Sequence, residues 1–290
     1  MSAGKEIRSK IKSVQNTQKI TRAMQMVATS KMRKTQERMR SARPYAENIR
    51  RVMANLMHLG SYSRNMTSFL RNPVEISRVG IILVTTDKGL CGGLNTNTLK
   101  LFYEKTLEFQ QRELTVEVCA LGHKGLNAVA KVGLNVIGSA VGLGDIPKME
   151  KLVGPLSGIL NKFYEGQLDA VYVVYSQFIN TMKQQSVCEQ LLPLVDKATK
   201  LDTKYSRDYL YEPDPTYVLE GLIRRYIESV VFQCVADNMA SEQAARMVAM
   251  KSATDNAGNA ISELKLAYNK SRQASITKEL AEIVSGSAAV

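Results

Sequence analysis

The sequence has no tryptophan, only two histidines and only four cysteines in 290 residues, and each shortage closes off a kind of chemistry. His58 and His123 stand alone, with no Cys, Asp or Glu at ligand spacing, so no metal site is expected. Cys91, Cys119, Cys188 and Cys234 lie too far apart for a metal knuckle and are too few for a disulfide scaffold, which fits a reducing compartment. Long apolar runs are missing too. Ile81-Ile82-Leu83-Val84 and Val171-Tyr172-Val173-Val174 fall far short of the roughly 18 residues a membrane-spanning helix needs, so a soluble chain is expected. No His lies near Cys91 to make it a nucleophile, and no pair of carboxylates reads as an acid/base couple. No catalytic residue and no cofactor are therefore expected.

What is present suffices for a core. The hydrophobic fraction is 44%, which argues against disorder, and the length allows one large domain or two smaller ones. The net charge of +12 is concentrated at one end: residues 1–51 hold fourteen bases and three acids, whereas the other 239 residues hold 25 bases and 24 acids. A nucleic-acid arm, an organelle transit peptide and a helix facing an acidic partner all have such composition. A transit peptide, however, need not keep one helical register for fifty residues.

This segment keeps one. Steps of four and three from Ile7 give Ile11, Val14, Gln18, Thr21, Gln25, Ala28, Met32, Thr35, Met39, Ala42, Ala46, Ile49, Met53 and Leu56, and no position in the series is charged. The mean repeat of 3.5 marks a coiled-coil seam, with an ordinary amphipathic surface helix as the alternative. Its middle is small or polar rather than leucine-rich. Pro44 falls inside the register, which predicts a bend there.

A second long helix is expected from Pro215 to the neighbourhood of Gly286, proline near the start and glycine near the end. Its seam runs through Ala236, Ala240, Gln243, Met247, Met250, Thr254, Ala257, Ile261, Leu264 and Tyr268. Fifty helical residues extend for about 75 Å and seventy for about 105 Å, against about 30 Å for a small domain. The simplest solution pairs the two as an antiparallel coiled coil that the rest of the chain cannot sheathe. The apolar end, Ile276, Leu280, Ile283, Val284 and Ala288-Ala289-Val290, then implies a partner.

Between these helices short apolar runs alternate with amphipathic stretches. Strands are expected at 79–84, 116–121, 135–140 and 170–174, with helices at 94–112, 123–132 and 147–165. That alternation predicts a Rossmann-like α/β domain with a mostly parallel sheet. The fold class is α+β overall: terminal coiled coil plus central α/β domain. The expected divisions are a helix over 1–60, a linker over 61–76, the α/β domain over 77–200, a linker over 201–214 and a helix over 215–290.

The loop Thr85-Thr86-Asp87-Lys88-Gly89-Leu90-Cys91-Gly92-Gly93-Leu94-Asn95 stands where such folds bind phosphate. It matches neither G-x-G-x-x-G nor G-x-x-x-x-G-K-[ST], so a tight strand-to-helix turn is the better reading and a nucleotide enzyme the rival one. A basic coiled-coil DNA-binding protein is the other rival, and it would show a steep salt dependence of binding.

Three motifs now come together: Lys5-Glu6-Ile7-Arg8-Ser9-Lys10-Ile11 with Asn16-Thr17-Gln18-Lys19-Ile20-Thr21; Asp87-Lys88-Gly89-Leu90-Cys91-Gly92-Gly93-Leu94-Asn95; and Arg272-Gln273-Ala274-Ser275-Ile276-Thr277-Lys278-Glu279-Leu280 with Glu282-Ile283-Val284-Ser285-Gly286. In this order they resemble the gamma subunits of F-type ATP synthases, over essentially the whole chain. The likeness is to bacterial members, with no leader expected before Lys5 and no paired-cysteine regulatory insertion of the chloroplast kind between Leu194 and Asp214.

The resemblance implies a non-catalytic rotor. The paired helices would stand inside a ring of three alpha and three beta subunits, and the α/β domain would sit at the foot beside epsilon and the membrane c ring. The chain would be peripheral, on the cytoplasmic face of the bacterial inner membrane. Contacts with the acidic lever of beta would fall to Met24, to Lys31, Arg33 and Lys34, and to the loop at Cys91. Contacts with the beta catch loop would fall to Arg246, Arg272, Gln273 and Thr277.

Overall fold

The computed structural model describes residues 2–58, 76–193 and 215–287. The expected linkers at 61–76 and 201–214, the stretch examined for a chloroplast-type insertion and the last three residues lie almost wholly outside the described residues. The order of elements is α1 (Ser2–His58), β1 (Arg78–Val84), α2 (Leu94–Gln111), β2 (Thr115–Leu121), α3 (His123–Val132), β3 (Asn135–Ala140), α4 (Met149–Tyr164), β4 (Ala170–Phe178), β5 (Gln184–Leu192) and α5 (Pro215–Ser287). The four strands and three short helices read from the sequence are all there, within a few residues at their ends.

The fifth strand is the difference. The sheet runs β3-β2-β1-β4-β5, with β1, β2, β3 and β4 parallel and β5 antiparallel to β4. β5 reads Gln-Gln-Ser-Val-Cys-Glu-Gln-Leu-Leu, too polar to register as a buried run, because it is an edge strand with one side unpaired. Its partner is set by the turn before it: Asn180 Oδ1 accepts from the Met182 and Lys183 N–H groups at 2.9 and 2.8 Å, and this closes the hairpin.

The contacts divide the chain into two compact units, Met1–Thr29 with Arg246–Val290, and Ser30–Ala245. The larger has three layers. Val79, Ile81 and Leu83 of β1 face α2 and α3 with Phe102, Phe109, Val118 and Val129. Ile82 and Val84 point the other way, into a core of Leu152, Leu156, Ile159 and Phe163 from α4 and Ile223, Ile227, Val231 and Val235 from α5. A strand covered on both faces must be apolar at every position, so β1 reads as an unbroken run. The division falls inside both long helices rather than at their ends, because α5 is buried on the sheet from Ile223 onward instead of standing free.

The smaller unit is a pair of helices. Thr21 and Ala28 of α1 are buried, as are Met250, Ala257 and Ile261 of α5. Across the seam the Gln18 amide donates to the Thr254 carbonyl at 3.3 Å, and the Thr21 and Thr254 hydroxyls share a hydrogen bond of 2.8 Å. A Cβ on Gly258 would come within 3.2 Å of the Gln18 amide nitrogen. Rising numbers in α1 thus meet falling numbers in α5, the antiparallel sense. α1 continues through Pro44 without interruption.

Candidate functional site

The glycine-rich loop joins β1 to α2 at the carboxyl edge of the sheet, where the strand order reverses about β1. In open α/β sheets such a point takes ligands. Here the chain's own groups occupy it. Asp87 accepts from the His123 N–H through Oδ1 and from the Leu143 N–H through Oδ2, both at 3.0 Å. The Thr85 hydroxyl accepts from the Gly125 N–H at 2.7 Å. Thr86 bonds the Lys88 carbonyl and the Asn95 side chain, each at 2.7 Å.

Gly122 opens α3 at φ +102, and a Cβ there would lie 2.3 Å from the Thr85 carbonyl oxygen, so two loops touch backbone to backbone. Asp87, Thr85 and Asn95 spend their side chains on the His123, Leu143, Gly125 and Thr86 amides, which makes the start of this loop a packed turn. This packing agrees with the reading of the motif as a tight strand-to-helix turn.

The same loop presents a hydrophobe outward. Leu90 has φ +62, a backbone region that non-glycine residues rarely adopt, and its side chain is 64% exposed. Cys91 points inward: it is 2% exposed, and the Asn95 amide donates to its sulfur at 3.3 Å. The other three thiols are held protonated by burial. Burial pushes the Cys119 thiol up to about 12 and raises those of Cys234 and Cys188, so none is a thiolate near neutral pH. Among the described residues no group of His, Cys, Asp and Glu could hold a metal ion, and no helix is long and apolar enough to cross a membrane.

The basic stretch of α1 is placed by the loop between β3 and α4. The Lys31 ammonium donates to both Asp145 oxygens at 2.9 and 2.7 Å, and the Arg38 guanidinium donates to the Asp145 carbonyl oxygen at 3.1 Å. Arg33 makes a loose ion pair with Glu37 at 3.8 Å and is exposed, as is Lys34. In the smaller unit Met24 and Arg246 are half-buried, whereas Arg272, Gln273 and Thr277 are exposed. Lys31 and Arg38 thus converge on one residue, Asp145. Asp145 was invisible to motif reading, although Gly144-Asp145-Ile146-Pro147 after a strand carries a turn signal.

The smaller unit leaves apolar side chains uncovered. Ile20, Met26 and Val27 on α1 and Leu266, Ile276, Leu280, Ile283 and Val284 on α5 are all exposed, Ile283 at 67%. So many in two helices mark a surface that another body covers.

The architecture defines the class: a chain with a Rossmann-like, mostly parallel α/β sheet in one unit and an antiparallel pair of terminal helices in the other. A family model described as ATP synthase matches residues 3–290. The chain is 61% identical over 290 residues to the ATP synthase gamma chain of Chromobacterium violaceum, covering 100% of both. It is 58% identical over 295 residues to that of Neisseria meningitidis serogroup A, again covering 100% of both. In fold it is similar to a chain of the Euglena gracilis mitochondrial ATP synthase, with a TM-score of 0.69 at 20% identity, covering 99% of this chain and 94% of that one. A chain of the Tetrahymena thermophila mitochondrial ATP synthase central stalk gives 0.58 at 22% identity, covering 81% and 99%. The chain belongs to the ATP synthase gamma-chain family.

Proposed function

We propose that the chain is the rotor of a bacterial F-type ATP synthase, coupling ion-driven rotation of the membrane c ring to ATP synthesis or hydrolysis at beta-subunit sites. The observation that carries this is a seam of small and polar residues that joins the two chain ends in one unit while its outer apolar side chains stay uncovered. A ring of three alpha and three beta subunits supplies the missing cover. Epsilon and the c ring meet the α/β layer. The chain is peripheral, on the cytoplasmic side of the inner membrane, and makes or breaks no bond.

Coupling follows from unequal faces. A neighbour shifts a conformational equilibrium only by contacting its states differently, so a rotor whose sides are unlike favours a different state in each beta subunit it passes. The acidic lever of beta meets Met24, Lys31, Arg33 and Lys34 and the loop at Cys91. In that loop the contacting side chain is the outward Leu90, since the thiol is buried. Arg246, Arg272, Gln273 and Thr277 meet the catch loop higher on beta.

The test is Met24→Lys in the reconstituted complex in inverted vesicles. On this reading Met24 meets the lever, and its side chain is only half-buried, so the ratio of ion pumping to ATP hydrolysis is expected to fall while the chain's thermal transition stays in place. Pumping and hydrolysis falling together at a constant ratio would contradict the assignment of Met24.

A further inference from the structure

Two carboxylates link the elements that the proposed function sends to the partner. Asp87 ties the start of the glycine-rich loop to the His123 and Leu143 N–H groups. Leu143 belongs to the loop between β3 and α4. Its side chain is buried, and it stands between Gly142 and Gly144, which have φ +67 and +74. These two left-handed residues let the loop turn Leu143 inward and Asp145 outward within three positions. The Lys151 ammonium steadies the same loop by donating to the Gly142 carbonyl at 2.7 Å. Asp145 then grips Lys31 with both carboxylate oxygens and Arg38 with its carbonyl. An unbroken set of contacts therefore runs from the glycine-rich loop through Asp87, Leu143 and Asp145 to the basic face of α1.

Stability is a poor reason for the last link. The Lys31 and Asp145 side chains are 38% and 59% exposed, and ion pairs so open to solvent add little to folding. What the link fixes is position. A lysine ammonium on a four-carbon stem has no preferred place of its own, and a bidentate carboxylate gives it one.

We infer that Asp145 is a positioning residue for coupling: through Asp87 it splints the basic face of α1 to the glycine-rich loop, so that force delivered to either is borne by both. In the same act it holds Lys31 and Arg38 where an acidic partner segment reaches them. The inference rests on the reading of Lys31 and the Cys91 loop as lever contacts.

The experiment uses the reconstituted complex in inverted vesicles, with ATP hydrolysis and ion pumping measured for Asp145→Asn, Asp145→Glu, Lys31→Gln and the Asp145→Asn/Lys31→Gln double variant. Asp145→Asn is expected to lower the ratio of pumping to hydrolysis by roughly twofold, the scale of one exposed ion pair. Asp145→Glu is expected to restore it, and the double variant to be no worse than Lys31→Gln alone.

A normal ratio in Asp145→Asn beside a lowered one in Lys31→Gln would overturn the inference and leave the lever reading standing. Normal ratios in Lys31→Gln, Arg33→Gln and Lys34→Gln alike would remove the lever reading, and the inference with it. A lowered ratio that comes with a lowered thermal transition, and that glutamate does not restore, would identify a folding defect and equally overturn it.

Discussion

Asp169 shows how one side chain organises the entrance to the sheet. It sits before β4 and accepts from the Ser77 N–H at 2.9 Å, the Ser77 hydroxyl at 3.0 Å and the Arg78 N–H at 2.9 Å, which fixes where β1 begins. Burial pushes its carboxyl up, but these bonds, with the Arg78 charge, outweigh burial and hold it below the ordinary range. An acid depressed on folding stabilises fully above its unfolded value of about 3.9 and loses that contribution as the pH falls through the folded value. Asp169→Asn is therefore expected to cost roughly 2 kcal/mol at neutral pH. The gap between its urea midpoint and that of the parent chain should close on acidification. A gap of the same size at acid and neutral pH would refute the account. Gly122 makes a different point at this scale: its approach to Thr85 leaves no room for a side chain, a demand that motif spacing alone did not disclose.

At the scale of elements, the seams were the most legible feature. Every described position of the α1 series from Ile7 to Met39 is at least half-buried, and the same holds from Ala236 to Tyr268 in α5. An uncharged residue every three or four positions among dense bases admits few other readings. The buried runs of β1, β2 and β4 were plain for a similar reason, since a strand covered on both faces has no polar position to blur it. β5 was not, because an edge strand takes its place from its neighbour and its turn, and Gln184 to Gln190 say little by themselves. Asp145 and Asp87 were not legible as partners either, because their bonds join loops far apart in sequence.

The seam itself is testable at this scale. Thr21→Val and Thr254→Val each remove one side of a hydroxyl pair within the helix interface. The pair is expected to show a coupling of about 0.5–1 kcal/mol in a double-mutant cycle on thermal stability, with the double variant close to the parent. Strict additivity would mean that the two helices do not meet there.

For the whole molecule the claim is mechanical. The chain belongs to the gamma-chain family over nearly its full length, and the proposed role is to carry torque between partners. The small seam residues allow the two helices to approach closely, and Ile276, Leu280, Ile283 and Val284 are exposed, where the proposed function places a bearing. In the α/β layer Asp87 and Thr85 tie the carboxyl-edge loops to one another.

The most direct measurement holds the alpha and beta head fixed on a surface and follows a bead attached through an introduced cysteine, Met182→Cys, at the exposed hairpin between β4 and β5. Supplied with ATP, the bead is expected to turn in one direction and pause three times in each revolution, once for each beta site. Steady ATP hydrolysis under a bead that stays still, or that wanders without direction, would contradict the rotor account.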